Sequence, residues 1–137
     1  MKVSLQRTKL RLTASFVVLL LTLSACGPSP AEFGVLEGQV TIGPLSPVLQ
    51  EGETPPTPAP EVYAARQIVV FEADGETEVA RLEIGPDGSY RAELPAGEYV
   101  VDINHAGIDF AKGLPATVNI EPGSTVTLDI DIDTGIR

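Results

Sequence analysis

The chain of 137 residues has one cysteine, one histidine and no tryptophan. A lone thiol excludes an internal disulfide, and one sulfur beside one imidazole falls short of a Cys/His zinc set. Aromatic residues make up only 5% of the chain, so any core has to be aliphatic and thin. No stretch of ten or more residues carries apolar side chains at helical spacing, and no long amphipathic helix is expected. Basic residues are scarce as well, nine against 19 acids for a net charge of −10. Four of the nine, Lys2, Arg7, Lys9 and Arg11, precede residue 12, and no acid occurs before residue 26. Nine less four leaves five Lys/Arg against all 19 acids beyond residue 25, a side-chain charge of −14. Nucleic acid and anionic lipid headgroups would both repel such a chain, so neither is expected as a partner.

The one long apolar run is Leu12 to Leu23. It follows a basic stretch and is shorter than the roughly 20 residues a membrane-spanning helix needs. Small residues end it, and Gly-Pro-Ser-Pro then breaks any helix. A basic region, an apolar region and a small-residue processing site are the layout of a secretory signal, expected here over residues 1–25. Leu23-Ser24-Ala25-Cys26 resembles the bacterial lipobox. The resemblance covers the first 26 residues and implies a diacylglyceryl group on the Cys26 thiol, cleavage before it and often acylation of the new amino terminus. One acyl chain holds a protein to a bilayer only marginally, at about 0.8 kcal/mol per buried methylene, whereas two or three hold it stably. The membrane contact would then come from the lipid. Gly27, the next residue, is not the aspartate that favours inner-membrane retention in some diderm bacteria, and the choice of membrane stays open.

Residues 26–34 read as a lipidated tether, and residues 35–137 are enough for one modest core. Apolar and polar residues alternate there with a period of two. The segments 35–43, 66–74 and 77–84 are the first three expected strands, the second with a continuous apolar centre that suggests cover on both faces. GPDGS at 85–89 and PAGE at 95–98 are turn sequences, and the segments SYRAEL and YVVDI that follow them form a hairpin with Tyr90, Ala92, Leu94, Tyr99, Val101 and Ile103 inward. After a loop at 104–116 come TVNI, the turn EPGS, and TVTLDIDID. In the last, Val126, Leu128, Ile130 and Ile132 alternate with Thr127, Asp129, Asp131 and Asp133. Seven short strands with turn chemistry between them predict an all-β fold, a seven-stranded β-sandwich of antiparallel type.

Gly38-Gln39-Val40, Asp87-Gly88-Ser89-Tyr90 and Leu94-Pro95-Ala96-Gly97-Glu98-Tyr99 together resemble the recurrent pattern of carboxypeptidase regulatory-like and prealbumin-like (transthyretin-like) β-sandwich domains. The match spans most of residues 35–132. It implies a fold used for accessory, adhesive or carbohydrate-associated modules that are not themselves catalytic. The chain departs from the pattern between its first two strands. Residues 44–65 carry Pro44, Pro47, Pro55, Pro56, Pro58 and Pro60, and read as an extended, polyproline-like surface loop at one end of the sandwich, with a partner-binding role as the alternative. The B-type repeats of collagen adhesins, among the related surface domains, carry a Lys-to-Asn isopeptide bond from an early strand. Lys112, the only lysine beyond residue 25, lies in a late loop, so this crosslink is not expected.

Chemistry-bearing residues are few. His105 sits in NHAGIDFAKGLP with Asp109 and Lys112. No Gly-x-Ser-x-Gly elbow accompanies it, and a Ser/His/Asp triad has no placed nucleophile. The loop is expected to close one end of the sandwich with Ile108, Phe110 and Leu114 tucked beneath it. In the alternative reading the loop is a recognition site, with Tyr63, His105, Asp109, Phe110 and Lys112 as the candidate binding residues and Tyr63 and Phe110 as the candidate aromatics for ligand contact. Asp129, Asp131 and Asp133 share one face of the last strand at nearly 7 Å per step, too wide for that strand alone to grip a calcium ion. They read as a solvated face that guards an edge, with a weak metal site as the alternative. The expectation is a non-enzymatic, lipid-anchored, extracytoplasmic module without cofactor, bound to a membrane through its lipid and to an envelope protein or glycan. The alternatives are a receptor for carbohydrate or another small molecule, and an enzyme.

Overall fold

In the computed structural model the described residues are 32–48 and 50–136. The leader, Leu23, Ser24, Ala25 and Cys26 lie outside them. The described part is all-β with one short helix, arranged as two sheets around a shared aliphatic core.

Period-two patterning decides which side chains face that core. In β1 (Phe33–Gly43), Gly34, Leu36, Val40 and Ile42 are buried and Gln39 and Thr41 are exposed. This strand organises the first sheet. On one side it pairs antiparallel with β4 (Ser89–Pro95), from Phe33 opposite Pro95 to Gln39 opposite Ser89. On the other it pairs in parallel, first with β8 (Thr125–Thr127) and then with β9 (Ile130–Asp133), and β6 (Phe110–Ala111) extends the sheet beyond β9. The second sheet is antiparallel throughout, in the order β3 (Glu78–Glu83), β2 (Gln67–Glu72), β5 (Gly97–Ile103), β7 (Ala116–Ile120). Leu36, Val40 and Ile132 from one sheet and Ile68, Val70, Val101 and Ile120 from the other are essentially inaccessible. Each such side chain contributes about 1.5–3 kcal/mol of burial.

Among the described residues nine strands replace the seven expected, the sheet around β1 is mixed rather than antiparallel, and the expected hairpin of 89–94 with 99–103 is not formed: the 95–97 turn carries the chain from one sheet to the other, so that β4 pairs with β1 and β5 with β2 and β7. One added strand is the short β6, within the expected 104–116 loop. The other arises because the expected strand 125–133 is split at Leu128 and Asp129. The register against β1 is the same on both sides of the split, Glu37 opposite Thr127 and Val40 opposite Ile130, so no residue is inserted. The Leu128 amide still donates to the Glu37 carbonyl, and side chains take over only the next bond of the ladder. The Gln39 amide donates to Asp129 Oδ1 at 2.9 Å, and the Leu128 carbonyl accepts from the Tyr90 hydroxyl at 2.5 Å. Burial, with the charge of Asp129 adding to it, pushes the Tyr90 phenol well above the usual tyrosine range, so it stays a donor.

A further correction concerns the expected loop 44–65, which contains α1 (Pro60–Ala64). Pro60 has its φ preset for a first helical turn, and Glu61 favours the amino-terminal end of the dipole. The turn GPDGS is as expected: the Asp87 carboxylate accepts from the Ser89 amide and hydroxyl, and Gly88 has φ +83°. A Cβ there would lie 2.6 Å from the Val40 carbonyl oxygen, which demands glycine on two counts.

Candidate interaction surface

The strand directions define two ends. The chain enters β1 beside the 95–97 and 121–124 turns, where the Ala96 amide donates to the Glu32 carbonyl and the Gly123 amide to the Phe33 carbonyl. β1 runs eleven residues, roughly 35 Å at the usual rise per residue. The opposite end gathers the proline-rich segment, α1, the 104–109 loop and residues 134–136.

Of the expected binding residues, most lie at that second end, but their exposure departs from expectation. Tyr63 is a core residue, only 7% exposed, because α1 turns its ring under the sandwich end. It is not available to a ligand. Ile108 and Phe110 are the reverse case, 74% and 60% exposed where burial was expected. The space beneath the loop is filled by Ala111 and partly by Leu114, while Ile108 leans on the backbone at Gly135. Lys112 is exposed.

Asp109 is not a free carboxylate. It forms a two-pronged pair with Arg66, whose Nε and Nη2 donate to Oδ2 and Oδ1 at 2.7 and 3.1 Å, and Arg66 Nη1 also donates to the Val62 carbonyl at 2.8 Å. The guanidinium thus ties α1 to the 104–109 loop. Sequence reading missed Arg66, which stands at the head of a strand and 43 residues from its partner. The available signal was its rarity, one of five basic residues beyond residue 25.

His105 adopts φ 45° and faces solvent, with Nε2 3.1 Å from Asp102 Oδ2. Among the described residues no hydroxyl or thiol is hydrogen-bonded to it. The hydrogen bond to Asp102 raises its pKa above 6.5, burial opposes this, and the charges of Asp102 and Asp109 and the Asp109 backbone assist. A folded-state pKa above the unfolded one means that this contact stabilises fully below about pH 6.5 and fades as pH rises through the folded midpoint. An NMR titration should place the His105 midpoint above that of an unstructured histidine, and Asp102→Asn should lower it. A wild-type midpoint at or below the unstructured value would contradict the contact.

The three aspartates of the last strand serve β1 and the chain end. Asp129 accepts the Gln39 amide, Asp131 Oδ1 accepts the Thr41 hydroxyl at 2.9 Å, and Asp133 Oδ1 accepts the Gly135 amide at 2.8 Å. They do not converge, and among the described residues no group of three or more His, Cys, Asp or Glu is arranged to hold a metal ion. Asp129 instead borders a shallow groove of about 600 Å³ on the first sheet, where Glu37 on β1 pairs with Arg91 on β4.

No protein-family model matches the chain, and no curated protein matches it. Solved structures do. GBS52, the minor pilin of the Gram-positive pathogen Streptococcus agalactiae, superimposes with a TM-score of 0.51 at 20% identity, over 74% of this chain and 44% of the pilin chain. A DUF3823 family protein from Parabacteroides merdae gives 0.48 at 20% identity, over 75% of this chain and 47% of that one. The likeness to the pilin is one of fold, and the chain spans less than half the length of either structure.

Proposed function

We propose that this protein is a lipid-anchored, extracytoplasmic β-sandwich module with a non-enzymatic binding or structural accessory role at the cell envelope. The observation that carries the reading is Leu23-Ser24-Ala25-Cys26 at the end of a basic-then-apolar leader. In that setting the lone sulfur of the chain has a chemistry, thioether lipidation, that no other residue competes for. Cys26 would hold the anchor and the residues between it and β1 the tether, which is shorter than the expected 26–34 because Phe33 and Gly34 are already paired in β1. The proline-rich segment and the 104–109 loop would be displayed at the end of the sandwich opposite the tether's point of entry. A −14 side-chain charge beyond residue 25 agrees with attachment through lipid rather than headgroup attraction. The prealbumin-like assignment is supported by the work its motif residues do: Gly38 and Gly88 sit at close backbone approaches, and Tyr90 and Tyr99 are core residues that each donate to a carbonyl.

Metabolic labelling with a palmitate analogue tests the anchor. Wild-type protein should take up label and partition into detergent, and Cys26→Ala should lose the label and accumulate as the uncleaved precursor. An unlabelled wild-type protein released from cells by washing would overturn the assignment. The receptor reading retains one favourable observation, the exposed ring of Phe110.

A further inference from the structure

At the far end the chain crosses between the sheets' outer edges, from β3 to β4, over the buried Ile84, whereas at the end where β1 begins the crossing from β4 leads to the interior strand β5. There the carboxyl end of β4 and the amino end of β3 border a trough of about 530 Å³. Its floor is apolar, built from Val79, Ala80, Leu94, Pro95 and Tyr99, and its rim carries Glu72, Glu93 and Glu98. We propose that this trough is a docking site for an extended, cationic segment of a partner protein, in which alternate side chains are basic and apolar.

Three features select that occupant. The first is the bulge in β3. Val70 opposes Ala80, but Phe71 opposes Glu78, so Val79 is the extra residue. A bulge re-aims the side chain it contains, and Val79 lies at the trough, 41% exposed. Second, the trough is flanked by the outer edges of both sheets, yet each edge is blunted beside it, β3 by the bulge and β4 by Pro95, which has no amide hydrogen. A strand from a chance encounter finds no regular ladder there, so recognition falls to side chains. Third, none of the three rim glutamates takes part in the ion pairs of the described residues, which use Glu37, Glu78, Asp102 and Asp109. A neutral or anionic occupant would strip water from these carboxylates without supplying a countercharge. That disfavours a second copy of this acidic chain, an anionic lipid and a plain hydrocarbon ligand. Lysine or arginine side chains supply the charge and lay their methylene stems along the apolar floor.

The site is separate from the loops at the far end and does not depend on the anchor. Its test uses the full chain in a non-ionic detergent and fluorescent hexapeptides of alternating Lys-Val, Lys-Ser and Glu-Val. Anisotropy should show saturable binding of the Lys-Val peptide alone, weakened severalfold when added salt shortens the screening length from about 10 Å toward 3 Å. The double reversal Glu93→Lys with Glu98→Lys should weaken binding at least about tenfold, some 1.4 kcal/mol, with an unchanged melting curve. Glu53→Lys with Glu61→Lys, the same charge change on the proline-rich segment and α1, should leave binding within about twofold. No binding of the Lys-Val peptide overturns the proposal. So does equal binding of the Lys-Ser peptide, which would leave the apolar floor unused, or an equal loss in the control reversal, which would mean attraction by net charge alone.

Discussion

Gly38→Ala is expected to destabilise the domain by roughly 3 kcal/mol or more, the upper part of the range for overpacked interiors. A Cβ at this position would lie 2.0 Å from the Leu128 carbonyl oxygen, 2.7 Å from its carbon and 2.9 Å from Cε1 of Tyr90. The first two atoms are backbone and cannot rotate away. Moving them would stretch the Leu128 amide's bond to the Glu37 carbonyl, 2.9 Å, and dislodge both side-chain bonds that bridge the split between β8 and β9. One added methyl therefore acts on three hydrogen bonds at once. For a domain of this size the change should lower the melting temperature by more than about 10 °C. Gly43→Ala, on the same strand but with nothing within 4 Å of the added Cβ, is the matched control and should stay within about 0.5 kcal/mol of wild type. Equilibrium urea unfolding of the two variants decides it. A loss below about 1 kcal/mol for Gly38→Ala would mean that β1 and β8 do not approach as closely as described.

The same place shows how far the sequence could be read. Alternation put Tyr90, Tyr99, Ile130 and Ile132 inward, and they are buried, because a period of two is a property of the strand itself. It also put Asp129 and Asp131 on the exposed face of the strand, and they lie there. Pairing partners are not a local property. Nothing in TVTLDIDID says that it runs parallel to residues 35–43, nor that a phenol from β4 and a carboxylate within the segment will take over one bond of its ladder at Leu128. The reading weakened further where periodicity stops. Ile108 and Phe110 were expected inside on hydrophobicity alone, but in a loop no pattern specifies direction, and the smaller Ala111 is the one buried. Tyr63 failed in the opposite sense. Six prolines around it suggested open loop, although Pro60-Glu61 was a legible helix start and a tyrosine two residues on was a candidate to pack beneath it.

The candidate site was legible as a region and not as a mechanism. His105, Asp109, Phe110 and Lys112 do occupy one end of the sandwich, because they are close in sequence. What holds them there comes from Arg66, brought across by the antiparallel pairing of β2 with β5. The trough at the opposite end was invisible for the same reason: its residues derive from four strands and a turn, and no local pattern in the sequence brings them together.

Asp109→Ala should cost about 3 kcal/mol, at the lower end of what breaking a buried ion pair costs. The Arg66 side chain is 15% exposed and that of Asp109 5%, so the guanidinium left behind regains little water. It would keep only its bond to the Val62 carbonyl, with the prongs facing Asp109 unpaired. The converse change, Arg66→Met, leaves a carboxylate still more deeply buried and should cost at least as much. Replacing both, Arg66→Met with Asp109→Leu, removes the stranded charges and should recover most of the loss, because two well-packed apolar side chains can substitute for a buried pair. The resulting double-mutant cycle, read by urea unfolding, should give a coupling of about 2 kcal/mol or more. Asp109→Ala should also loosen the 104–109 loop, raising amide exchange at Ile108 relative to the core strand β5. Additive single variants, or a 104–109 loop whose exchange is unchanged, would show that Arg66 does not tie α1 to this loop.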